Sequence, residues 1–466
     1  MKPISLQEIR QVVDGKPLTR LPEAGPPAVG VCTDSRHVKS QELFVALRGE
    51  KFDGHRFLAD VAMKGAIAAL VETPPEQEVG QLPLVQVANT RTALGALARH
   101  VRRQLAGKVV AVAGSNGKTG TKHLIHSILR TRLRGSISPK SFNNDIGVPL
   151  TIFPADPGHD YLVLELGTNH PGEIKTLTHM ALPDVAVITM CSAEHLEFLG
   201  DLLGVRRENA SIIEGLSPKG LLVVHGDDPQ LLEAVGAYPR QRTVRFGFST
   251  DNDLYASEVQ CSQEGVRFLL NGRRQVFVPL LGRHTACNSL AAIAVARRLG
   301  LDEEQIIMAL ASATGPEMRL QLQEVGPVQV LNDAYNANPA SMKAAVDTLC
   351  TLPARRRVAV LGDMREMGQS AQRLHEEIGD YLAGCAVDLL VCVGQHAALI
   401  AAAAQRSGCT AIIRCFADST AAAAAMPRLV RRGDLVLLKG SRAMHLEQIA
   451  LALAEDYRAS LCKAAS

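Results

Sequence analysis

Tryptophan is absent from this chain, and tyrosine and phenylalanine number only six and eleven among 466 residues. Base-stacking platforms and aromatic sugar clefts are built from such rings, so their scarcity weighs against both. Charge of one sign is missing too. Lys+Arg 50 against Asp+Glu 47 leave a net +3, too little for a protein built to coat nucleic acid or an anionic membrane, though local basic pockets stay open. No run of about 18 apolar residues occurs, as a membrane-spanning helix would require, so no stable membrane insertion is expected. The opening MKPISLQEIR has no basic stretch leading into an apolar one, so no secretory leader is expected. Ten cysteines are scattered without a CxxC pair. Those in apolar stretches, such as Cys350, Cys385 and Cys392, read as core thiols of a reducing, cytoplasmic compartment rather than as a disulfide or zinc framework.

What is present is ordinary for a folded chain: 47% hydrophobic and 21% charged residues. The length asks for several domains. Residues 1–103 are mixed α/β, with Pro and Gly breaks at 22–30 and 73–84. Beyond Lys108 short apolar runs alternate with helical patterns. VVAVAG (109–114), YLVLEL (161–166), DVAVITM (184–190) and GLLVVHG (220–226) predict buried parallel strands. Alternation in TVRFGF and VRFLL, with Asn271-Gly272, predicts antiparallel strands and a hairpin over 240–281. A helix over 285–299 follows, and then a break near 313–318. Strands recur at 328–333, 357–363, 389–394 and 435–440, and the Ala-rich runs 401–404 and 421–425 suit helices packed closely on a sheet. The predicted fold class is α/β in three domains: a small α/β cap (1–103), a central parallel-sheet domain with a β-rich end (104–313), and a C-terminal Rossmann-like open sheet (314–466).

Gly114-Ser115-Asn116-Gly117-Lys118-Thr119 follows an apolar strand and precedes the helical stretch TKHLIHSILR. That is the context of a phosphate loop. Amides of a Gly-rich turn and a helix N-terminus cradle phosphate oxygens. Lys118 reaches the β/γ-phosphates, and the Thr119 hydroxyl serves Mg²⁺. The strict GxxxxGK[ST] pattern is not met, because Val112 stands at the first Gly position. Such a loop leaves ATPase, kinase, GTPase and ligase open.

Two further residues narrow the field. Glu165 ends the apolar strand YLVLEL, where a parallel strand points into the ligand crevice. A carboxylate is expensive in such a strand unless a cation or a donor meets it, so it is read as a magnesium ligand. His195 follows the next strand within Glu194-His195-Leu196-Glu197, and is expected in the same crevice as a third ligand beside Thr119 and Glu165.

At this point the chain resembles the Mur ligases and folylpolyglutamate synthetases. The phosphate loop carries the likeness first. Thr33-Asp34-Ser35-Arg36 and Phe52-Asp53-Gly54-His55 support it near the N-terminus, and the run from Phe142-Asn143-Asn144-Asp145 to Thr151 supports it after the loop. Glu165-Leu166-Gly167, Pro171-Gly172-Glu173-Ile174 and Gly282-Arg283-His284 with Asn288 extend it. Asp333-Ala334-Tyr335-Asn336-Ala337-Asn338-Pro339, Gly362-Asp363-Met364 and Lys439-Gly440-Ser441-Arg442 complete it. The nearest branch is the one that joins D-alanyl-D-alanine (D-Ala-D-Ala) to a UDP-N-acetylmuramoyl (UDP-MurNAc) tripeptide.

The resemblance implies ATP and Mg²⁺ as cofactors and UDP-MurNAc-tripeptide and D-Ala-D-Ala as small-molecule substrates; the charge balance and scarce aromatics point to no nucleic-acid partner, and a monomer is the default expectation. It implies that ATP phosphorylates the tripeptide carboxylate and that the dipeptide amine attacks the acyl phosphate. Lys118, Glu165 and His195 are the implied catalytic residues. Gly114 to Thr119, with Thr121, would hold the phosphates. His284 and Asn288 would lie on the adenine side, with Arg319 and Asp333 gripping ATP and Asn336 near the adenine. Ser35 and Arg36 would meet the UDP group, Asn143 and Asn144 the muramoyl-linked part, and Lys439 and Arg442 an anionic part of the substrate.

Three positions depart from the family pattern. Asn209 stands where many members carry a carbamylated lysine that helps hold a second Mg²⁺; its carbonyl is a neutral and poorer oxygen ligand. Asn89 replaces a frequent acid, and Glu317-Met318 precedes Arg319 where Gly-Arg is usual. Two other readings stay open, the second resting on Asn209 alone. One is a sister ligase adding a single amino acid or a glutamate, although the Asp-Asn-Pro-Arg string of the diaminopimelate-adding sister is absent. The other is a catalytically quiet nucleotide-binding scaffold subunit. A nucleic-acid-stimulated ATPase is disfavoured by the near-neutral charge.

Overall fold

The computed structural model describes residues 1–22, 25–49, 52–239 and 242–465. Residues 23 and 24, inside the first predicted break, and residues 240 and 241, at the start of the predicted hairpin region, lie outside it. Three sheets organise the described chain. The first has five strands, all parallel except the edge strand Lys16–Pro17.

The second sheet has nine strands. At its centre lies Lys108–Ala113, between Tyr161–Glu165 and Val185–Ile188. Val109 to Ala113 are fully buried, each larger side chain worth roughly 1.5–3 kcal/mol of transfer free energy. The chain leaves Lys108–Ala113 towards one side, through Gly135–Ile137 and Tyr161–Glu165, then builds the other side from Val185–Ile188 onward. That reversal opens a crevice at the carboxyl ends of the strands. The phosphate loop lies directly after Ala113, so strand order alone places it at the switch point.

The β-rich end differs from expectation in one respect. Arg242–Gly247, containing most of TVRFGF, pairs parallel with Leu221–His225 and continues the main sheet. Antiparallel pairing begins only between Leu254–Ser262 and Gly265–Leu270, then Arg274–Val278. A half-exposed strand alternates whichever way its neighbour runs, so period-two alternation does not report direction. The Asn271-Gly272 turn forms as predicted, with φ of 51° and 66°.

The third sheet has six strands in the order Gln321–Val325, Val328–Asp333, Asp434–Lys439, Arg356–Gly362, Leu389–Val393, Ile412–Phe416. Its two edge strands were not legible in the sequence. Ile412–Phe416 is largely exposed, so no apolar run marks it. Both Ala-rich runs are helical, within Ala397–Arg406 and Ser419–Leu429. Among the described residues no helix is long and apolar enough to cross a membrane.

Candidate active site

The phosphate loop is shaped by two glycines that nothing else would replace. Gly114 has φ 127°, and a β-carbon there would stand 2.0 Å from Thr189 Oγ1. Gly117 has φ 90°, and its β-carbon would stand 2.5 Å from Asn288 Oδ1. The helix Lys118–Leu129 begins next, with no side chain capping its first turn. Its leading amides are therefore left for an anion, in a cavity of about 740 Å³ lined by Ser115, Asn116, Gly117, Lys118 and Thr119. Part of the loop is self-satisfied. The Ser115 and Asn116 amides donate to Met190 O at 2.9 and 3.1 Å. The Lys118 ammonium is folded back, donating to Gly114 O and, at 3.1 Å, to Ser115 O.

Glu165 is 1% exposed and fully engaged. Its Oε2 accepts from Thr119 Oγ1 at 3.0 Å and faces the Lys122 ammonium at 3.1 Å; its Oε1 accepts from Asn143 Nδ2 at 3.1 Å. Burial pushes this carboxyl up, but Lys122, Arg319 and Lys118 together outweigh it and hold it below the usual carboxylate range. Lys122 itself is buried and also donates to Ser138 O and Lys140 O, at 3.0 and 2.7 Å. The cation that makes Glu165 tolerable is thus supplied by the chain.

His195 lines the same cavity, and its Nδ1 lies against a carboxylate oxygen of Glu366 of the third sheet's domain without hydrogen-bond geometry. Glu194 lies beside it, 3.9 Å from the Lys118 ammonium. From the third sheet's side come Arg319, Tyr335, Asn336, Asn338 and Lys439. The Arg319 guanidinium stacks 4.4 Å over the Tyr335 ring. Lys439 is buried, with its ammonium 2.7 Å from Asp333 Oδ2 and donating to Asn336 O at 2.7 Å. It fixes those two residues rather than presenting a free cation.

An adjoining cavity of about 530 Å³ shares Asn116, Gly117 and Arg319 with the first. It is lined by His284 and Asn288, and by Phe246, Phe248, Leu280 and Leu281. Asp333 borders it too. Packing around the His284 ring lowers its basicity, with Asp333 partly restoring it.

Some predicted residues lie elsewhere. Thr121, expected at the phosphates, is fully buried and lines neither cavity. Two residues past Thr119 is about 200° round the helix, which turns it to the opposite face. Ser35 and Arg36 also line neither cavity. Arg36 grips Asp34 through Nε and Nη2 at 2.9 and 2.7 Å, and this holds the Asp34 carboxyl well below its usual range. Asn144 lines the first cavity, but its Oδ1 is occupied by the Gly147 amide at 2.8 Å. Arg442 pairs with Glu447 at 2.9 Å and is half exposed. Asn209 lines neither cavity: it is fully buried, with Nδ2 donating to Val205 O at 2.8 Å and Oδ1 left without a partner. An amide that turns back on its own helix offers no ligand to the crevice.

The other two departures have local explanations. Asn89 caps the helix Thr90–Arg103 by accepting from the Thr92 amide at 2.9 Å, a task Asn and Asp perform equally. Met318 has φ 56°, which explains why a glycine is usual before the arginine. Sequence reasoning passed over Arg91, Lys122, Asn338 and Glu366. Lys122 had a signal, since it sits three residues beyond Thr119 on the same helix face. Arg91, which reaches the cavity from the first sheet's side and pairs with Asp145 at 3.2 Å, had none.

Three family models match this chain: the Mur ligase family catalytic domain over residues 28–102, the Mur ligase middle domain over 112–296, and the Mur ligase glutamate ligase domain over 318–442. The UDP-N-acetylmuramoyl-tripeptide–D-alanyl-D-alanine ligase of Bacillus subtilis is 36% identical over 434 residues, covering 92% of this chain and 93% of that protein. The Escherichia coli ligase of the same name is 34% identical, covering 97% and 99%. Among solved structures, MurF from Acinetobacter baumannii superposes with a TM-score of 0.88 at 33% identity, covering 98% of this chain and 99% of that one. MurF ligase from Thermotoga maritima, in complex with ADP, superposes with a TM-score of 0.81 at 28% identity, covering 92% and 98%.

Proposed function

This chain belongs to the Mur ligase family, and from that premise we infer that it is an ATP-dependent ligase joining D-Ala-D-Ala to UDP-MurNAc-tripeptide in peptidoglycan precursor synthesis. The observation that carries the reading is the convergence on one cavity of the phosphate loop, Glu165, His195 and the third sheet's Arg319 and Asn338. We assign residues 1–103 to the UDP-linked substrate, 104–313 to ATP and 314–466 to the incoming amine.

A carboxylate is a poor electrophile, because its charge repels a nucleophile and oxide is a poor leaving group. Phosphorylation supplies the leaving group. The dipeptide amine then attacks the acyl phosphate, and the tetrahedral adduct collapses to amide and phosphate. Bringing an anion up to a triphosphate needs cations and fixed donors. Lys118 would leave Gly114 O and Ser115 O for the β/γ-phosphates. The amides at the start of Lys118–Leu129 would hold phosphate oxygens, and Arg319 would approach from the other side. His284 and Asn288 would border the adenosine, with Asp333 and Asn336 held near it by Lys439. Asn143 would orient Glu165.

Mg²⁺ fits part of this donor set. Thr119 Oγ1 and Glu165 Oε2 are two hard oxygens on the wall of the cavity that hydrogen-bond each other at 3.0 Å, so an ion held by both would take the place of that bond. Among the described residues no group of three or more His, Cys, Asp or Glu side chains is poised to hold a metal. The site therefore suits an ion that keeps water and phosphate oxygens, with His195 as a further donor. When bound, Mg²⁺ supplies positive charge against the phosphates. Free cysteines at all ten positions suit a reducing compartment, and we place the reaction in the cytoplasm, carried out by a monomer.

The test is phosphate release from ATP with UDP-MurNAc-tripeptide and D-Ala-D-Ala, run beside single amino acids and folates. Release that depends on both the tripeptide and the dipeptide is expected. Release with glutamate or a single amino acid in place of the dipeptide would reassign the chain to a sister activity, and none at all would leave a scaffold.

A further inference from the structure

Two side-chain amides join the phosphate loop to the third sheet's domain. Asn116 Nδ2 donates to Asn338 Oδ1 at 3.2 Å, and Asn338 Nδ2 donates back to Asn116 Oδ1 at 3.0 Å. Each residue also has a local partner. Asn116 Nδ2 donates to Ser192 Oγ at 2.7 Å, and Asn338 Oδ1 accepts from the Ser341 amide at 2.9 Å, capping the helix Pro339–Thr351. The cap uses only the oxygen of Asn338, which Ser or Asp would supply as well. Its Nδ2 donor, in a residue 3% exposed, serves Asn116. A reciprocal amide pair needs both planes aligned, so it tolerates little shear between the bodies it joins.

A second contact follows the same approach. His195 and Glu366, which pair across the two domains, both take left-handed backbone conformations, φ 49° and 61°. Two strained residues facing each other mark a junction whose geometry the surroundings impose. Gly368 packs so closely there that a β-carbon would stand 3.0 Å from Glu197 Cα.

We propose that Asn116 and Asn338 are a positioning pair that registers the third sheet's domain against the phosphate loop. Docking of the pair brings Arg319 and the N-terminus of Pro339–Thr351 to the cavity wall opposite the N-terminus of Lys118–Leu129. This rests on the ligase reading. Phosphoryl transfer is driven by placement and electrostatics, so groups carried on two bodies contribute only while those bodies are in register. Asn116 shares its Nδ2 between Ser192 and Asn338 but gives its Oδ1 to the other domain, and the loop thereby senses whether that domain is in place.

The test compares the full chain with Asn116→Ala, Asn338→Ser and the double variant, in saturating substrates. Each single variant should lower kcat about tenfold, and the double should lose no more than either, as one coupled interaction requires. For Asn338→Ser, ADP affinity in the absence of other substrates should stay within about twofold of the parent, because Asn338 lies outside the phosphate loop and its loss leaves the cradle itself intact. Losses that multiply in the double variant, or parental kcat in Asn338→Ser, would overturn the proposal. So would a fall in ADP affinity that matches the fall in kcat, since that would place the defect in the loop. Should Asn338→Ser lose its fold by circular dichroism, Asn338→Thr also keeps a side-chain oxygen for the cap, removes the same donor without adding charge and is judged by the same outcomes. Failure of the ligase reading is separately visible, as absence of phosphate release by the parent chain.

Discussion

The Lys122 ammonium and the Glu165 carboxylate stand 3.1 Å apart, with side chains 0% and 2% exposed. Desolvating two ions costs several kcal/mol each and is offset only when the remaining valences are filled. Here they are. Two backbone carbonyls take the other protons of Lys122, while Thr119 and Asn143 complete Glu165. The pair ties the phosphate-loop helix to the neighbouring strand and to the segment carrying Asn143. Removing one partner leaves the other charged and unpaired. Lys122→Met is expected to destabilise the chain by about 3–5 kcal/mol, and Lys122→Met with Glu165→Gln should recover most of that. Urea denaturation of the three chains decides it, and a double variant as unstable as the single would show that packing, not charge, is at stake.

Lys118→Ala should abolish ATP-dependent phosphate release, a loss of at least about 10²–10³ in kcat for a preorganised cation at a transferring phosphoryl group. Binding of the UDP-linked substrate, followed by calorimetry, should stay near parental. Turnover close to the parent would remove Lys118 from the reaction.

Gly117→Ala asks an L-residue to take φ 90° and puts a methyl group 2.5 Å from Asn288 Oδ1. A backbone penalty of about 1–2 kcal/mol is expected, with displacement of Asn288 in addition. ADP binding should weaken more than the melting temperature falls, because the displaced groups are those of the nucleotide cavity. An unchanged ADP dissociation constant would mean that the loop relaxes freely.

Burial, and after it the charge of Lys122, hold the imidazole of His123 at about 4 against an ordinary 6.5. The unfolded chain therefore binds the proton first as pH falls. The stability associated with neutral His123 is complete above about 6.5 and is lost as pH falls towards 4. His123→Gln should flatten melting temperature against pH in that window. A parental slope in the variant would assign the acid limb to other groups.

Asn209 has no amine to take up carbon dioxide, so the phosphate-release rate is expected to be indifferent to added bicarbonate. A several-fold rise with bicarbonate would show that another lysine is carbamylated in this chain.

The strands and the phosphate loop were legible because their signals are local. VVAVAG is apolar without interruption, and Gly117-Lys118-Thr119 abuts it at fixed spacing. Glu165 was legible because a charge at the end of an apolar strand is costly and demands a reason. The direction of Arg242–Gly247 was not, since alternation marks exposure rather than pairing partner, and neither was the edge strand Ile412–Phe416, whose side chains are mostly exposed.

By itself, then, the sequence determined the α/β class, the positions of the core strands along the chain and the chemistry gathered around the loop, all of which depend on neighbours within a few residues. Only the tertiary structure decided that Lys122 neutralises Glu165, that Thr121 faces away from the phosphates, and that Asn338 and Glu366 reach Asn116 and His195. Asn116 and Asn338 are 222 positions apart. No periodicity or motif spans such a separation, because contacts of that kind exist only after separately folded sheets have packed together.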